Sequence, residues 1–232
     1  MESMNDRMDY YMASAYVRGA QKNGRLSGVP EGLMNKELCD LTDEDMRVLA
    51  RLGKEAELKM HYFKSMESLP RVKMALGFLK AVAPESLLDV GSGRGAFLFP
   101  FLREFPYVSV TSIDLLDRRV EVLKDMSAGG IDNLTAEKMD LTRANFTDKS
   151  FDAVTLLEVL EHIPDTYQAV RAALRLSKRY VVVTVPNKPD DNPEHIHLFT
   201  KESLTEIFMD AGAKKLSFDG VPGHMFMAAR TS

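Results

Sequence analysis

Two glutamates and a histidine stand close together in an otherwise apolar stretch, LLEVLEHIPD at residues 156–165. If the backbone becomes helical there, Glu158, Glu161 and His162 occupy positions i, i+3 and i+4 and share one helix face. Carboxylates and an imidazole in that arrangement can bind a divalent ion or move a proton. Without a metal, His162 is the best candidate for a general base, because an unperturbed imidazole titrates near neutrality.

A second chemical feature is the glycine-rich stretch LLDVGSGRGAF at residues 87–97. Gly91, Gly93 and Gly95 fall where a predicted strand turns into a helix. Glycine lets the backbone turn sharply and pass close to a ligand at the amino end of a helix. The stretch therefore predicts a nucleotide-type site. It also satisfies the loose dinucleotide fingerprint G-x-G-x-x-G/A, which leaves an NAD-dependent oxidoreductase open.

Three aspartates near predicted strand ends help to choose the ligand. Asp89 precedes the first glycine by two residues, where a carboxylate would repel a pyrophosphate and attract a cation. S-adenosylmethionine carries a sulfonium and an ammonium group, so an acidic turn suits it better than a dinucleotide. Asp114 can accept both ribose hydroxyls of either cofactor. Asp140, which ends the third predicted strand, is placed to accept a hydrogen bond from the adenine amino group.

The elements that position these residues alternate between short β-branched runs and helical patterns from about residue 84 onward. This alternation predicts an α/β fold with a seven-stranded, mostly parallel, doubly wound sheet. The last two strands are predicted to be an antiparallel pair, with the final strand beside the fifth. The predicted strands are 86–91, 109–115, 133–141, 151–158, 179–187, 214–220 and 224–230.

The segment before the predicted sheet has a different character. Residues 43–66 carry apolar side chains at positions 49, 52, 56, 60 and 63, a stripe that predicts one helix capping the open side of the sheet. Residues 1–35 are rich in Gly, Asn and Tyr and are expected to be a flexible arm or lid. The amino-terminal part is therefore predicted to be a helical cap.

Composition excludes several classes of protein. The chain has 232 residues, and its formal charge of -4 comes from 30 basic and 34 acidic residues. This balance provides no bulk cationic field for a nucleic acid backbone. The single cysteine, Cys39, excludes a disulfide framework and fits a reducing compartment. With neither a secretory signal nor an apolar run of membrane-spanning length in the sequence, we expect a cytoplasmic protein.

Several motifs in a fixed order carry a resemblance over residues 70–230. They are LLDVGSGRG, SIDL, MDLT, FDAVTLLEVLEHIPD, VVVTVPN and HLFTKESLTEIFMDAG. Together they resemble the class I S-adenosylmethionine-dependent methyltransferases. The resemblance implies a Rossmann-like methyltransferase domain at residues 70–232, preceded by a helical arm or cap at residues 1–69. The cofactor-binding residues that it implies are Asp89, Gly91, Ser92, Gly93, Gly95, Asp114, Leu115, Asp140, Leu141 and Glu158, with the two leucines flanking the base.

The E-x-x-E-H turn is similar to that of the ubiquinone-biosynthesis O-methyltransferases and of the metal-dependent RNA 3′-terminal ribose 2′-O-methyltransferases. The loop HIHLF could bring His195 or His197 to the same sheet edge. The expected ligands of a divalent ion, Mg2+ or Mn2+, are Glu158, Glu161, His162 and His197. Glu161 and His162 are the expected catalytic residues.

The acceptor is expected to be a small molecule with a hydroxyl or a similar nucleophile. The FEWTR segment of the RNA group reads FTKES here, and the chain has no Trp. These departures and the acidic balance disfavour an RNA substrate. A third hypothesis is a binding module that keeps the fold without chemistry, although the intact acidic set at positions 89, 114 and 140 argues against decay of a cofactor site.

Overall fold

The computed structural model describes residues 8–189 and 191–232. Its strands are β1 Ser86–Val90, β2 Ser109–Asp114, β3 Leu134–Lys138, β4 Phe151–Leu157, β5 Ser177–Pro186, β6 Lys215–Val221 and β7 His224–Arg230. Its α-helices are α1 Tyr10–Lys22, α2 Glu31–Met34, α3 Asp43–Glu55, α4 Pro70–Val82, α5 Leu98–Glu104, α6 Asp117–Ala128, α7 Thr166–Leu176 and α8 Lys201–Asp210. Short 3-10 helices occupy Leu38–Asp40, Met60–Phe63, Leu141–Arg143 and Leu160–His162.

The strands of the described residues form one seven-stranded sheet in the order β3-β2-β1-β4-β5-β7-β6. The first five strands run parallel, and β7 is antiparallel to both β5 and β6. The predicted α/β fold is confirmed, including the place of the last strand beside the fifth. Because chain order reverses between β1 and β4, the carboxyl ends of these two strands border the crevice where open α/β sheets bind ligands.

The two faces of the sheet are covered by different helices. Leu87 and Ala153 point into an apolar cluster that includes side chains of α1, α3, α4, α5 and α6. Their sequence neighbours Leu88 and Val154 point into a second cluster, which includes side chains of α7 and α8. All four side chains are at most 1% exposed. This burial on both faces explains why the central strands read as continuous apolar runs rather than as alternating ones.

Helix α1 is part of the packed structure. The carbonyl oxygen of Asp125 in α6 lies 1.7 Å from where a Cβ on Gly19 would be, so the two helix backbones touch. The Asp125 carboxylate also accepts a hydrogen bond from Asn23 Nδ2 at 2.7 Å and forms an ion pair with Arg25. The flexible arm predicted for residues 1–35 is therefore wrong over Tyr10–Lys22. Residues 1–7 lie outside the described part.

The single helix predicted over residues 43–66 is also wrong, because α3 ends at Glu55. Glu57 has a left-handed backbone with φ 54°, and the Leu58 amide donates to the Gly53 carbonyl oxygen at 2.9 Å. Such a 6→1 bond terminates a helix. Met60 and Phe63 are buried as predicted, but on a separate 3-10 helix. Every helix within residues 8–189 and 191–232 is too short or too polar to span a bilayer.

Candidate functional site

The glycine turn after β1 is built from left-handed residues. Gly91, Gly93 and Gly95 have φ values of 65°, 61° and 76°, a region that side chains with a Cβ rarely adopt. A Cβ on Gly95 would also lie 2.3 Å from the ring of Phe99. Helix α5 begins only at Leu98, which places Pro100 in the first turn, where proline is tolerated. Glycine is therefore required at this turn for both conformation and space.

The turn borders a cavity of about 160 Å³ at the carboxyl ends of β1 and β4. Its wall includes Gly91 and Arg94 from the turn, Asp89 from β1, and Glu158 and Thr184 from the ends of β4 and β5. Arg71, in the first turn of α4, also lines this cavity. The cavity thus combines two acidic residues, Asp89 and Glu158, with two cationic ones, Arg94 from the turn and Arg71 from the helix that precedes the sheet.

Asp89 is a buried carboxyl group with incomplete hydrogen bonding. Its side chain is 2% exposed, and its Oδ1 accepts a hydrogen bond from Thr155 Oγ1 at 2.6 Å. Burial raises the pKa of Asp89 to about 6, against the lowering effect of hydrogen bonds from Thr155 and Ser92. Among the described residues, Asp89 Oδ2 has no hydrogen-bond partner. A cationic ligand group in the cavity would stabilise this carboxylate.

Asp114 ends β2 and is held in place by its own loop. Its Oδ1 accepts from the Leu116 amide at 2.9 Å, and its Oδ2 accepts from Arg119 Nη1 at 3.3 Å. Each carboxylate oxygen can accept a further hydrogen bond. Leu115, the next residue, is 62% exposed. The end of β2 therefore offers a fixed carboxylate beside an open apolar side chain.

Asp140 and Leu141 follow β3 at the start of a 3-10 helix. Asp140 Oδ1 accepts from both the amide and the hydroxyl of Thr142, each at 2.9 Å, so it caps that helix. Leu141 is 3% exposed and packs in the apolar cluster on the α7 and α8 side of the sheet. Of the two leucines expected to flank a base, only Leu115 is open.

The E-x-x-E-H turn does not form the helical face expected from its spacing. Glu158 has a left-handed backbone with φ 59°, and only Leu160–His162 form a 3-10 helix. Glu161 and His162 meet His195, and one ligand atom from each lies within 4.8 Å of the others. The rings of His162 and His195 are 4.8 Å apart in an edge-on contact. Their convergence is due to the loop before α8, which the Ile196 amide fixes by donating to the Glu161 carbonyl oxygen at 2.9 Å.

This trio differs from the expected metal ligands in two members. His197 Nε2 lies 3.1 Å from the carbonyl oxygen of Ile163, to which it can only donate, and the trio contains His195 instead. Glu158 also lies outside the trio and has other partners. Glu161 is fully buried, whereas His162 is half-buried and its Nδ1 donates to the Glu194 carbonyl oxygen at 2.9 Å. His162 Nε2 is consequently the nitrogen left with a lone pair.

Glu158 is instead bound by residues that lie far away in sequence. Its Oε1 accepts from Thr184 Oγ1 at 2.8 Å, and its Oε2 lies 2.9 Å from His224 Nε2. Arg71 Nε is 3.9 Å from Oε2. Sequence reasoning missed all three partners, since nothing in the local pattern of α4, β5 or β7 marks them.

A second cavity, of about 520 Å³, lies on the other side of His224. Phe199, Phe218 and Met225 supply apolar wall, and Asn187 and Lys201 add polar groups. His224 lines this second cavity, and Glu158 lines the first. The hydrogen-bonded pair therefore forms the boundary between a small acidic cavity and a larger, partly apolar one.

Known proteins resemble this chain in sequence and in fold. A family model described as a methyltransferase domain matches residues 58–217. The ubiquinone biosynthesis O-methyltransferase of Paracidovorax citrulli is 34% identical over 139 residues, which are 56% of this chain and 57% of that protein. The 27-O-demethylrifamycin SV methyltransferase of Amycolatopsis mediterranei is 35% identical over 104 residues, 43% of this chain and 37% of that protein. The matched region of this chain thus spans 57% of the length of the first relative and 37% of the length of the second.

The fold is also found in solved structures. An O-methyltransferase family protein from Burkholderia thailandensis superposes with a TM-score of 0.59 at 17% identity, over 82% of this chain and 60% of that one. At this identity the similarity concerns the fold alone.

Proposed function

We propose that this chain, which belongs to the class I S-adenosylmethionine-dependent methyltransferases, transfers a methyl group from S-adenosylmethionine to a hydroxyl of a small molecule. S-adenosylmethionine supplies a methyl group activated by attachment to a sulfonium. The observation that carries the proposal is the buried Asp89 carboxyl group. Its Oδ2 has no hydrogen-bond partner within the described residues, and Asp89 is one of the residues that line the cavity of the glycine turn.

The residues of this cavity fit the charges of the cofactor. Asp89 would stabilise the positive charge of the amino-acid end, and Arg71 would pair with its carboxylate. Gly91, Ser92, Gly93 and Gly95 would let the backbone approach this end closely. A dinucleotide would place a pyrophosphate at the same turn, where Asp89 opposes it. This charge argument favours the methyltransferase over an NAD-dependent oxidoreductase.

The nucleoside end would lie along the ends of β2 and β3. Asp114 would accept the ribose hydroxyls with the lone pairs that Leu116 and Arg119 leave open. Leu115 would cover one face of the adenine. Asp140 would accept from the adenine amino group through Oδ2, because Thr142 already occupies its Oδ1.

Glu161, His162 and His195 suit a divalent ion such as Mg2+ or Mn2+. His162 donates its other ring N–H to a backbone carbonyl, which is the usual orientation of a metal-binding histidine. Bonds of about 2.1 Å keep the ligand atoms of one ion within about 4.2 Å of each other. The ligand atoms of the three residues, which lie within 4.8 Å of one another, would therefore have to move about half an ångström closer together to bind one ion. In this role the ion would lower the pKa of the acceptor hydroxyl.

The acceptor is proposed to be a small molecule that enters the cavity of about 520 Å³. Phe199, Phe218 and Met225 would contact its apolar part. The net charge of -4 gives no support to RNA as the acceptor. We place the protein in the cytoplasm, since the exposed free thiol of Cys39 suits a reducing compartment.

Calorimetry and a transfer assay test this function together. S-adenosylhomocysteine should bind the purified chain with measurable heat, and NADH should not. Tritium from S-adenosyl-[methyl-3H]methionine should appear in at least one member of a panel of phenols, catechols and aliphatic alcohols, and not in a 3′-terminal RNA oligonucleotide. Absence of heat with millimolar S-adenosylhomocysteine would refute the cofactor assignment. Tritium in the RNA alone would refute the small-molecule acceptor.

A further inference from the structure

A third cavity, of about 450 Å³, lies beside α7. Its wall includes Lys149, which closely precedes β4, and Thr231, which follows β7. Because β7 is antiparallel to β5, both residues lie at the amino ends of the parallel strands, where the Thr231 amide donates to the Arg179 carbonyl oxygen at 3.0 Å. The cavity of the glycine turn lies at the carboxyl ends, so the two cavities are separate.

The wall of the cavity beside α7 is cationic. Gln168, Arg171 and Arg175 occupy positions i, i+3 and i+7 of α7 and therefore share one face of the helix. Lys149 adds a third cation from the loop before β4. Among the described residues that line this cavity, none carries a carboxylate. This wall contrasts with the net charge of -4 of the whole chain.

Lys149 has an unusual backbone conformation that fixes its ammonium group. Its φ is 55°, and such outliers persist only where their surroundings hold them and cluster at functional sites. Its amide donates to the Arg175 carbonyl oxygen at 2.9 Å, and its Nζ donates to the carbonyl oxygens of Leu174 and Ser177 at 3.1 and 2.8 Å. An ammonium group has three protons. The third has no partner within the described residues and is left for a ligand.

Arg171 and Arg175 differ in how much of the guanidinium group is already engaged. Arg175 donates to Asp148 Oδ1 at 2.6 Å and to two carbonyl oxygens of the loop 144–148. Within the described residues, the Arg171 guanidinium contacts only the ring of Tyr167, whose centroid is 5.9 Å from its Cζ. All the N–H groups of Arg171 can therefore donate to a ligand.

The charges around this cavity do not balance. Of the three cations in its wall, Asp148 pairs with one, Arg175. The carboxyl ends of α7 and α8, at about half a negative charge each, offset about one more. Lys214 lies close enough to lower the pKa of Lys149, an effect that adds to desolvation, the main cause, and that Asp148 opposes. The surplus is thus about two positive charges, which an anion would neutralise.

We propose that the cavity beside α7 is a binding site for a small anion that carries a phosphate group. Phosphate oxygens would accept hydrogen bonds from the N–H groups that Arg171 and Arg175 leave free and from the third proton of Lys149. Gln168 would add an uncharged donor. A concave site of about 450 Å³ suits a small ligand such as a sugar phosphate better than an extended nucleic acid.

Calorimetry with inorganic pyrophosphate at fixed ionic strength tests this proposal. The wild type should show saturable binding at one site per chain. Arg171→Gln should weaken it about 10- to 100-fold, because hydrogen bonds to a charged donor are lost, and Arg171→Lys should recover part of the affinity. Arg51→Gln, which removes an exposed arginine of α3, is the matched control and should bind like the wild type. Since Arg171 is exposed, every variant should unfold at the wild-type temperature without ligand.

Absence of saturable binding by the wild type would overturn the proposal. So would equal weakening in Arg171→Gln and Arg51→Gln, which would indicate attraction by overall charge alone. An Arg171-dependent affinity for single-stranded RNA, without binding of pyrophosphate, would overturn the small ligand. Tighter binding of ribose 5-phosphate than of inorganic phosphate would support a sugar phosphate as the ligand, and the reverse would support a free anion.

The site is independent of the proposed methyl transfer. Saturating S-adenosylhomocysteine should leave the affinity for pyrophosphate unchanged, because the two cavities lie at opposite ends of the parallel strands. Competition between these two ligands would place pyrophosphate at the glycine turn and overturn the proposal. A chain that binds pyrophosphate but not S-adenosylhomocysteine would support this site while refuting the cofactor assignment.

Discussion

Lowering the pH from 8 to 5 should weaken the binding of S-adenosylhomocysteine about tenfold, and Asp89→Asn should remove this dependence. Burial raises the pKa of Asp89 to about 6, so the free protein carries a protonated, neutral carboxyl group at pH 5 and a carboxylate at pH 8. The ammonium group of the ligand is stabilised by the carboxylate only. One pH unit below the pKa, about nine-tenths of the sites are protonated, and the apparent affinity falls by about a factor of ten.

The Asp89 carboxyl group gives the stability of the free protein the opposite pH dependence to that of ligand binding. Because the pKa of Asp89 is higher in the folded state than the ordinary aspartate value of 3.8, its contribution to stability is fully present below pH 3.8 and is lost as the pH rises through about 6. A shift of about two units corresponds to about 3 kcal/mol. Without ligand at pH 7, Asp89→Asn should therefore raise the free energy of unfolding, even though it weakens ligand binding.

Calorimetric titrations at several pH values, with thermal unfolding of the free protein, measure both effects. Asp114→Asn is the control for binding, since it should weaken affinity at every pH but keep the dependence that Asp89 causes. An affinity that is constant between pH 5 and 8 in the wild type would refute the reasoning. So would a pH dependence that persists in Asp89→Asn.

Four further predictions concern other parts of the molecule. Asp114→Ala should weaken S-adenosylhomocysteine binding by about 10- to 100-fold by calorimetry, because it removes hydrogen bonds to a charged acceptor. Gly19→Ala should lower the free energy of unfolding in urea by about 2 kcal/mol, because its Cβ would collide with the α6 backbone. Gly77→Ala, in the interior of α4 with nothing within 4 Å of the new Cβ, should raise it by about 0.5 to 1 kcal/mol. If activity requires a divalent ion, His195→Ala should abolish the response to EDTA and Mg2+ and His197→Ala should keep it, and the reverse result would contradict the trio.

The sheet was predictable because its signals are local. The central strands are short apolar runs, rich in β-branched residues in β2 and β5, that end at glycine, proline or a polar turn, and they alternate with helical patterns. The glycine turn was predictable for the same reason, since the left-handed backbone region strongly favours glycine and the turn has three glycines in that region. The same approach did not predict the structure of the amino-terminal segment. Burial of α1 depends on a backbone contact between Gly19 and α6, more than 100 residues later, and a glycine in a helix pattern carries no sign of its partner.

Site residues on long loops were the least predictable. An extended chain places alternate residues on one side, so His195 and His197 were equivalent by spacing alone. Backbone hydrogen bonds, such as that from the Ile196 amide to the Glu161 carbonyl oxygen, determine which of the two histidines lies beside Glu161 and His162. The periodicity of the sequence does not reveal such hydrogen bonds. Glu158 could be placed at the end of β4, but its left-handed backbone and its contact with His224 depend on how β7 is inserted beside β5.

The most direct test of the central claim is a crystal structure of the chain with S-adenosylhomocysteine. We predict that the ligand lies along the carboxyl ends of β1 to β3, with both ribose hydroxyls within hydrogen-bond distance of Asp114 and its amino-acid end between Asp89 and Arg71. A ligand bound elsewhere, or bound with Asp89 and Asp114 directed away from it, would contradict the account.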